Sequence, residues 1–177
     1  MVYGKWQLLL AFVLTVLAGA GLHFVYGLCP NGVTALFSPV NESIWEHGKI
    51  LFWPYLAAAV CLTWGRPTGL RPWLLTGVGI CLVMYAVGYL LHVVLGWNSL
   101  GADLVLYVAL LALGFWLPTQ MAGPFRGLRW RLPALMAAAL VAGMVWFTFR
   151  PPQGALFADL SQPTYTEEQK ETGGSST

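Results

Sequence analysis

Trp6–Tyr26, WQLLLAFVLTVLAGAGLHFVY, contains no Asp, Glu, Lys or Arg. Coiled as a helix it reaches about 30 Å, the thickness of a bilayer's hydrocarbon core. A cleaved signal peptide is the competing reading, because Lys5 precedes the run and Ala18-Gly19-Ala20 resembles a small-residue cleavage site. The apolar stretch exceeds a signal peptide's hydrophobic region, so a retained span is expected. Four more apolar runs follow, the first beginning near Asn41 or Ser43 and running to about 64, the others at about 73–95, 101–117 and 133–149, separated by turn residues such as Cys29-Pro30-Asn31-Gly32 and Gly96-Trp97-Asn98-Ser99.

Composition agrees with this reading. The 177 residues are 58% hydrophobic and 9% charged, against roughly a quarter charged in soluble domains. The expected fold is an all-α membrane protein, a bundle of five transmembrane helices in residues 1–150. Residues 151–165 keep Leu156, Phe157 and Leu160 and are expected to lie on the outer face, whereas 166–177 are polar and expected to be disordered. Pro54 withholds the N–H that would pair with the Ile50 carbonyl, which predicts a kink in the second long helix. Gly77, Gly79, Gly88 and the Ala139-x-x-x-Gly143 spacing predict close helix packing.

The positive residues fix an expected orientation. Lys5, Arg66, Arg71, Arg126, Arg129 and Arg131 fall at alternate helix ends, and Arg150 is the exception. The positive-inside rule puts the N-terminus in the cytoplasm and, with five spans, the C-terminus outside. A multi-pass protein of a bacterial inner membrane, with membrane lipids as partners, is the expected setting. The net charge of +2 gives no footprint for nucleic acid. Cys29, Cys61 and Cys81 form no CxxC pair, and only Cys29 is expected to meet solvent. Most of the nine tryptophans fall near helix ends, as an interfacial belt requires.

With that topology, the remaining ionisable residues gather at the outer helix ends. His23 closes the first span, Glu42, Glu46 and His47 open the second, His92 closes the third, Asp103 opens the fourth, and Asp159 follows the fifth. Ionisable groups at membrane depth are costly, and their usual place is a bundle interior or a cavity. Within Asn41-Glu42-Ser43-Ile44-Trp45-Glu46-His47, the two glutamates are four apart and would repel on one helix face. A shared proton, a protonated histidine, Lys49 or a metal ion would offset that repulsion. Ser43, four before His47, is placed to hydrogen-bond its second ring nitrogen.

Plainer readings compete. Ser43-x-x-Glu46 matches a capping box, Asp103 complements a helix dipole, and Asn98 or Ser99 suits an N-cap. The arginines of the last basic connector serve as topology signals more often than as a lipid-headgroup site. No Walker, GxSxG or HExxH motif is present.

Ser38-Pro39-Val40-Asn41-Glu42-Ser43-Ile44-Trp45-Glu46-His47, followed by Lys49 and Leu51-Phe52-Trp53-Pro54, resembles the hallmark of a family of small bacterial integral-membrane proteins of unknown function, marked by a VNESxWEH segment. His23-Phe24-x-Tyr26, Gly96-x-Asn98 with Asp103, and Pro151-Pro152 followed by Leu156-Phe157-x-Asp159 are similar to further segments of it. The resemblance implies a list of site residues without naming a chemistry.

The leading functional expectation is a divalent-metal site, zinc before manganese or iron. Its ligands are His23, Glu46, His47 and Asp103, supported by Asn41, Ser43, His92, Asn98 and Asp159. Glu42 or Glu46 would then act as general base in a hydrolase for a lipid or amphiphile. The alternatives are a proton-coupled transporter using Glu42 and Glu46 with a Pro54 hinge, a haem protein ligated by His23 and His92, and a noncatalytic membrane partner whose cluster is a polar network.

Overall fold

The computed structural model describes residues 3–66 and 68–161. The expected disordered tail and positions 162–165 of the outer-face segment lie outside the described residues.

Every regular element among the described residues is helical. They are α1 (Lys5–Leu28), α2 (Gly32–Phe37), α3 (Ile44–Leu62), α4 (Leu70–Gly88) continuing into a π-helical turn (Tyr89–Val94), α5 (Leu100–Gln120) and α6 (Leu132–Phe149), which follows a 3-10 turn (Leu128–Trp130). Four helical segments are long and apolar enough to cross a membrane: Lys5–Leu28, Leu70–Val94, Leu100–Gln120 and Leu128–Phe149. Leu10, Leu14 and Leu17 of α1, Leu104 and Val105 of α5, and Leu135 of α6 are exposed on the exterior. Side chains of that kind, repeated around a bundle, are solvated by lipid and not by water.

Helix α3 differs from the expected second span. It carries Glu46, His47, Lys49 and Pro54, and it is not among the four segments apolar enough to cross on composition. Instead it is the interior helix, packed against α1, α4, α5 and α6, with Leu51, Phe52, Tyr55 and Ala59 buried. An interior helix can carry polar groups that a lipid-facing one cannot, because its neighbours supply the partners. Cys61, near its end, is exposed on the exterior of the bundle.

Close approaches set the packing. The Tyr55 ring occupies the gap left by Gly77 of α4 and Gly114 of α5, where an added Cβ would lie 2.9 Å from ring carbons in each case. Its hydroxyl donates to the Gly114 carbonyl at 2.9 Å, and its ring meets Trp73 and Phe115. Gly88 likewise admits Ile44, whereas Gly79 faces open space. The Ile50 carbonyl, which loses its helical donor to Pro54, faces Gly19 of α1, where a Cβ would sit 2.5 Å from the oxygen. Tyr107 crosses the same contact and donates to the Val16 carbonyl at 3.1 Å. Gly19 is therefore the residue that lets α1 lie directly on the interrupted backbone of α3.

Gly19→Ala should lower the thermal stability of detergent-purified protein by an overpacking cost of about 1–3 kcal/mol, since the added Cβ would meet both the Tyr107 hydroxyl and the Ile50 backbone carbonyl. Gly21→Ala, with nothing within 4 Å of the added Cβ, should leave stability unchanged or slightly raised through helix propensity. Equal effects from the two would contradict the assigned contact.

Candidate functional site

The opening of α3 organises the polar end of the bundle. Ser43 is its N-cap, and the hydroxyl accepts the Glu46 N–H at 3.3 Å. The reciprocal half of the capping box is not made. Ser43 N–H goes to Asn41 Oδ1 at 3.1 Å, and the Glu46 carboxylate turns elsewhere, accepting Val40 N–H at 2.9 Å and pairing with Lys49. Lys49 is fully buried and also donates to the Ala35 carbonyl at 2.8 Å. Trp53 Nε1 donates to the Leu36 carbonyl at 3.1 Å. Two carbonyls near the end of α2 thus accept from α3, one of them from a cation, which suits the negative end of a helix dipole.

This arrangement redirects two expectations. Glu42 lies before the cap in non-helical backbone, so it does not share a helix face with Glu46. Glu46 is buried and committed to Lys49 and Val40, leaving it outside the group it was expected to join as metal ligand or general base.

Three of the expected residues do converge. Glu42 Oε1 lies 3.5 Å from His23 Nε2, and Glu42 Oε2 lies 3.3 Å from His47 Nε2. One donor atom from each of the three falls within 4.8 Å of the others. Local structure sets both rings. His47 Nδ1 lies 2.8 Å from the Ser43 carbonyl, which can only accept, so Nδ1 carries hydrogen and Nε2 faces Glu42. The partner is the Ser43 backbone and not the hydroxyl expected from the spacing. On α1, the Ser38 hydroxyl donates to Leu22 O at 2.6 Å and accepts from Tyr26 N at 3.0 Å. It fastens the connector beside His23. His23 Nδ1 is buried with no hydrogen-bond partner among the described residues.

The side chains of His23, His47 and Glu42 retain 26%, 31% and 48% exposure, enough for a small ligand to reach all three. The hydrogen bond from His47, together with the His47 and His23 charges, holds the Glu42 carboxyl below its ordinary range, against opposing burial and the Asp159 carboxylate.

His92 forms a second arrangement in the π-helical turn. Its Nδ1 lies 2.8 Å from Asn98 Oδ1 and its Nε2 lies 2.9 Å from Asp103 Oδ1. Gly96, at φ +62°, turns the chain so that Asn98 returns to the ring. Ser99 caps α5, accepting from Ala102 N at 3.4 Å. Both ring nitrogens of His92 are therefore engaged by protein partners. Asp103 bonds His92 and lies near enough to His47 for its charge to act on that ring, but it is not one of the three converging donors. Asp159 neighbours Glu42 in the same sense and accepts from the Ser161 N–H and hydroxyl at 3.0 and 2.7 Å.

Residues after α6 close the end. Trp45 N–H donates to Leu156 O at 3.1 Å, and Leu160 N–H reaches Glu42 O at 3.4 Å. The Trp45 ring stacks on Tyr85 and touches Phe147 and Phe157. Ser38 and the α2 helix escaped the sequence reading, although Asn31-x-x-Thr34 carried a signal: Asn31 Oδ1 caps Val33 N and Thr34 N, and Thr34 Oγ1 returns to Asn31 N.

Lys49→Met should cost about 3–5 kcal/mol, because it strands the Glu46 carboxylate in a buried site. Adding Glu46→Gln removes the orphaned charge, and the double variant should be more stable than Lys49→Met alone in a thermal unfolding series. A double variant weaker than the single by the full cost of Glu46→Gln would contradict the pairing.

No curated protein and no solved structure matches the chain. A family model described as a family of unknown function, DUF6512, matches residues 1–166. The chain belongs to that family, as its VNES-x-WEH segment, His23-Phe24-x-Tyr26, Gly96-x-Asn98 with Asp103 and the Leu156-Phe157-x-Asp159 closure had implied.

Proposed function

We propose that this is a five-span protein of the cell membrane, with its N-terminus in the cytoplasm and a divalent-metal site at its extracytoplasmic face, formed by His23, Glu42 and His47. In this reading α3 is the fifth crossing element, shielded from lipid by its neighbours. The observation that carries the metal assignment is the convergence of two imidazole Nε2 atoms on the two oxygens of one carboxylate, at 3.5 and 3.3 Å. Tetrahedral zinc with bonds of about 2.0–2.1 Å has ligand-to-ligand edges of about 3.3–3.4 Å. The Ser43 carbonyl supports the fit by keeping hydrogen on His47 Nδ1, so that a metal displacing the Nε2 proton would find that nitrogen oriented toward Glu42.

Two histidines and one glutamate form the three-ligand set of catalytic zinc, with a position left for water. Zinc there would lower the pKa of that water and polarise a carbonyl or phosphoryl oxygen, which suits hydrolysis of a lipid or amphiphile. Glu42 then serves as ligand, and Glu46, through Lys49 and Val40, positions the connector that carries it. The His92–Asp103 pair is the adjacent acid–base couple.

A proton-coupled carrier draws less support, because Glu42 and Glu46 have separate partners and no shared proton site. A noncatalytic polar network would use the same histidine–carboxylate contacts and predicts no bound metal.

Detergent-purified protein is expected to carry one zinc per chain by elemental analysis, lost in His47→Ala and in Glu42→Gln and retained in His92→Ala. Zinc-free wild type after supplementation would overturn the assignment. In intact cells, a membrane-impermeant maleimide should label exposed Cys29 from outside in a background lacking Cys61 and Cys81. Labelling only after lysis would reverse the orientation.

A further inference from the structure

The opposite end of the bundle holds a cavity of about 420 Å³ lined by Thr68, Arg71, Arg126, Gly127, Leu128 and Arg131. Its volume falls in the range of small-ligand sites, about 300–1,000 Å³. Arg71 comes from the first turn of α4, and Arg126 and Arg131 come from the connector between α5 and α6. Arg71 Nη1 donates to Phe125 O at 2.8 Å, which ties the start of α4 to the connector between α5 and α6. The carboxylates of the described residues, Glu42, Glu46, Asp103 and Asp159, belong to the other end of the molecule.

Topology alone would be served by three arginines dispersed in solvent. Here they border one concavity, where like charges repel unless an anion lies among them. Guanidinium groups match phosphate oxygens through paired N–H donors, and Arg is the preferred residue where that planar geometry counts. Gly127, at φ +91°, holds the turn without a side chain, and nothing lies within 4 Å of its Cβ position. Leu128, 79% exposed, and Leu132, 56% exposed, place apolar surface next to the charged wall, as a ligand with both a phosphate and acyl chains would require.

We propose that this cavity binds a phosphate group through Arg71, Arg126 and Arg131, as carried by an anionic phospholipid headgroup or by a soluble phosphate compound. The site is independent of the metal centre and stands whether or not zinc binds there.

The test is native mass spectrometry of the full chain in detergent with added phosphatidylglycerol, phosphatidylcholine or inorganic phosphate. Phosphatidylglycerol should bind in preference to phosphatidylcholine. The Arg126→Gln/Arg131→Gln double variant should lose at least about tenfold in affinity, from the loss of two charge-assisted contacts. Arg129→Gln removes a charge from the same connector but not from the cavity, and should bind as wild type. If inorganic phosphate displaces phosphatidylglycerol in wild type, the natural ligand is a soluble phosphate; if it does not, the lipid is the source. Equal binding of both lipids with no binding of inorganic phosphate, or an Arg129→Gln loss as large as that of the double variant, would overturn the proposal. Thermal unfolding of each variant separates lost binding from lost fold, and Arg126→Lys with Arg131→Lys, which keeps the charge without the fork, should recover only part of the affinity.

Discussion

The buried pairing of Lys49 with Glu46 is the constraint on which the polar end depends. Lys49 is wholly enclosed, and its ammonium joins Glu46 to the Ala35 carbonyl near the end of α2. Glu46 in turn holds Val40 N–H. The connector from Asn31 to Ser43 is thereby fastened at both its helical and its extended part. Such a pair is an expensive way to stabilise a protein, since desolvation consumes much of the Coulomb attraction. What it supplies here is position. With Val40 and Ala35 fixed, Glu42 is carried out of α3 and set between His23 and His47.

That division gives the two glutamates opposite roles. The inner one is spent on architecture, whereas the outer one faces two imidazoles and remains partly open. A single fused acidic site would have suffered the repulsion expected of neighbouring carboxylates. Separate counter-ions remove it, Lys49 for Glu46 and the two histidines for Glu42. Around this centre the chain closes its own ends: Leu156 accepts from the first turn of α3, and Ser38 binds the last turns of α1. At the other end, arginines with no carboxylate beside them among the described residues border a cavity.

Much of this was legible in the sequence because it depends on local pattern. The apolar runs located the long helices, Ser43 marked the start of α3, and Lys49 was among the partners foreseen for Glu46. Counting helix ends put His23 and His47 at one level of the bundle, without showing that their faces meet. What escaped depends on choices among nearby partners or on non-ideal backbone. The Ser43-x-x-Glu46 pattern could not show that Glu46 would take Val40 and Lys49 in place of the Ser43 N–H. Ideal helical spacing put Glu42 on a face with Glu46, although the cap ends that geometry at Ser43. The π-helical turn at Tyr89–Val94 rotates His92 to Asn98 and Asp103, and periodicity of 3.6 gives no notice of it. Hydropathy also fails for α3, whose polar residues are matched by tertiary partners that composition does not contain.

X-ray absorption at the zinc edge of the loaded, detergent-purified chain tests the central claim most directly. The account predicts nitrogen and oxygen neighbours alone, at about 2.0–2.1 Å, with outer-shell scattering from two imidazoles. A sulfur neighbour at about 2.3 Å, or fewer than two imidazoles, would contradict a centre built from His23, Glu42 and His47.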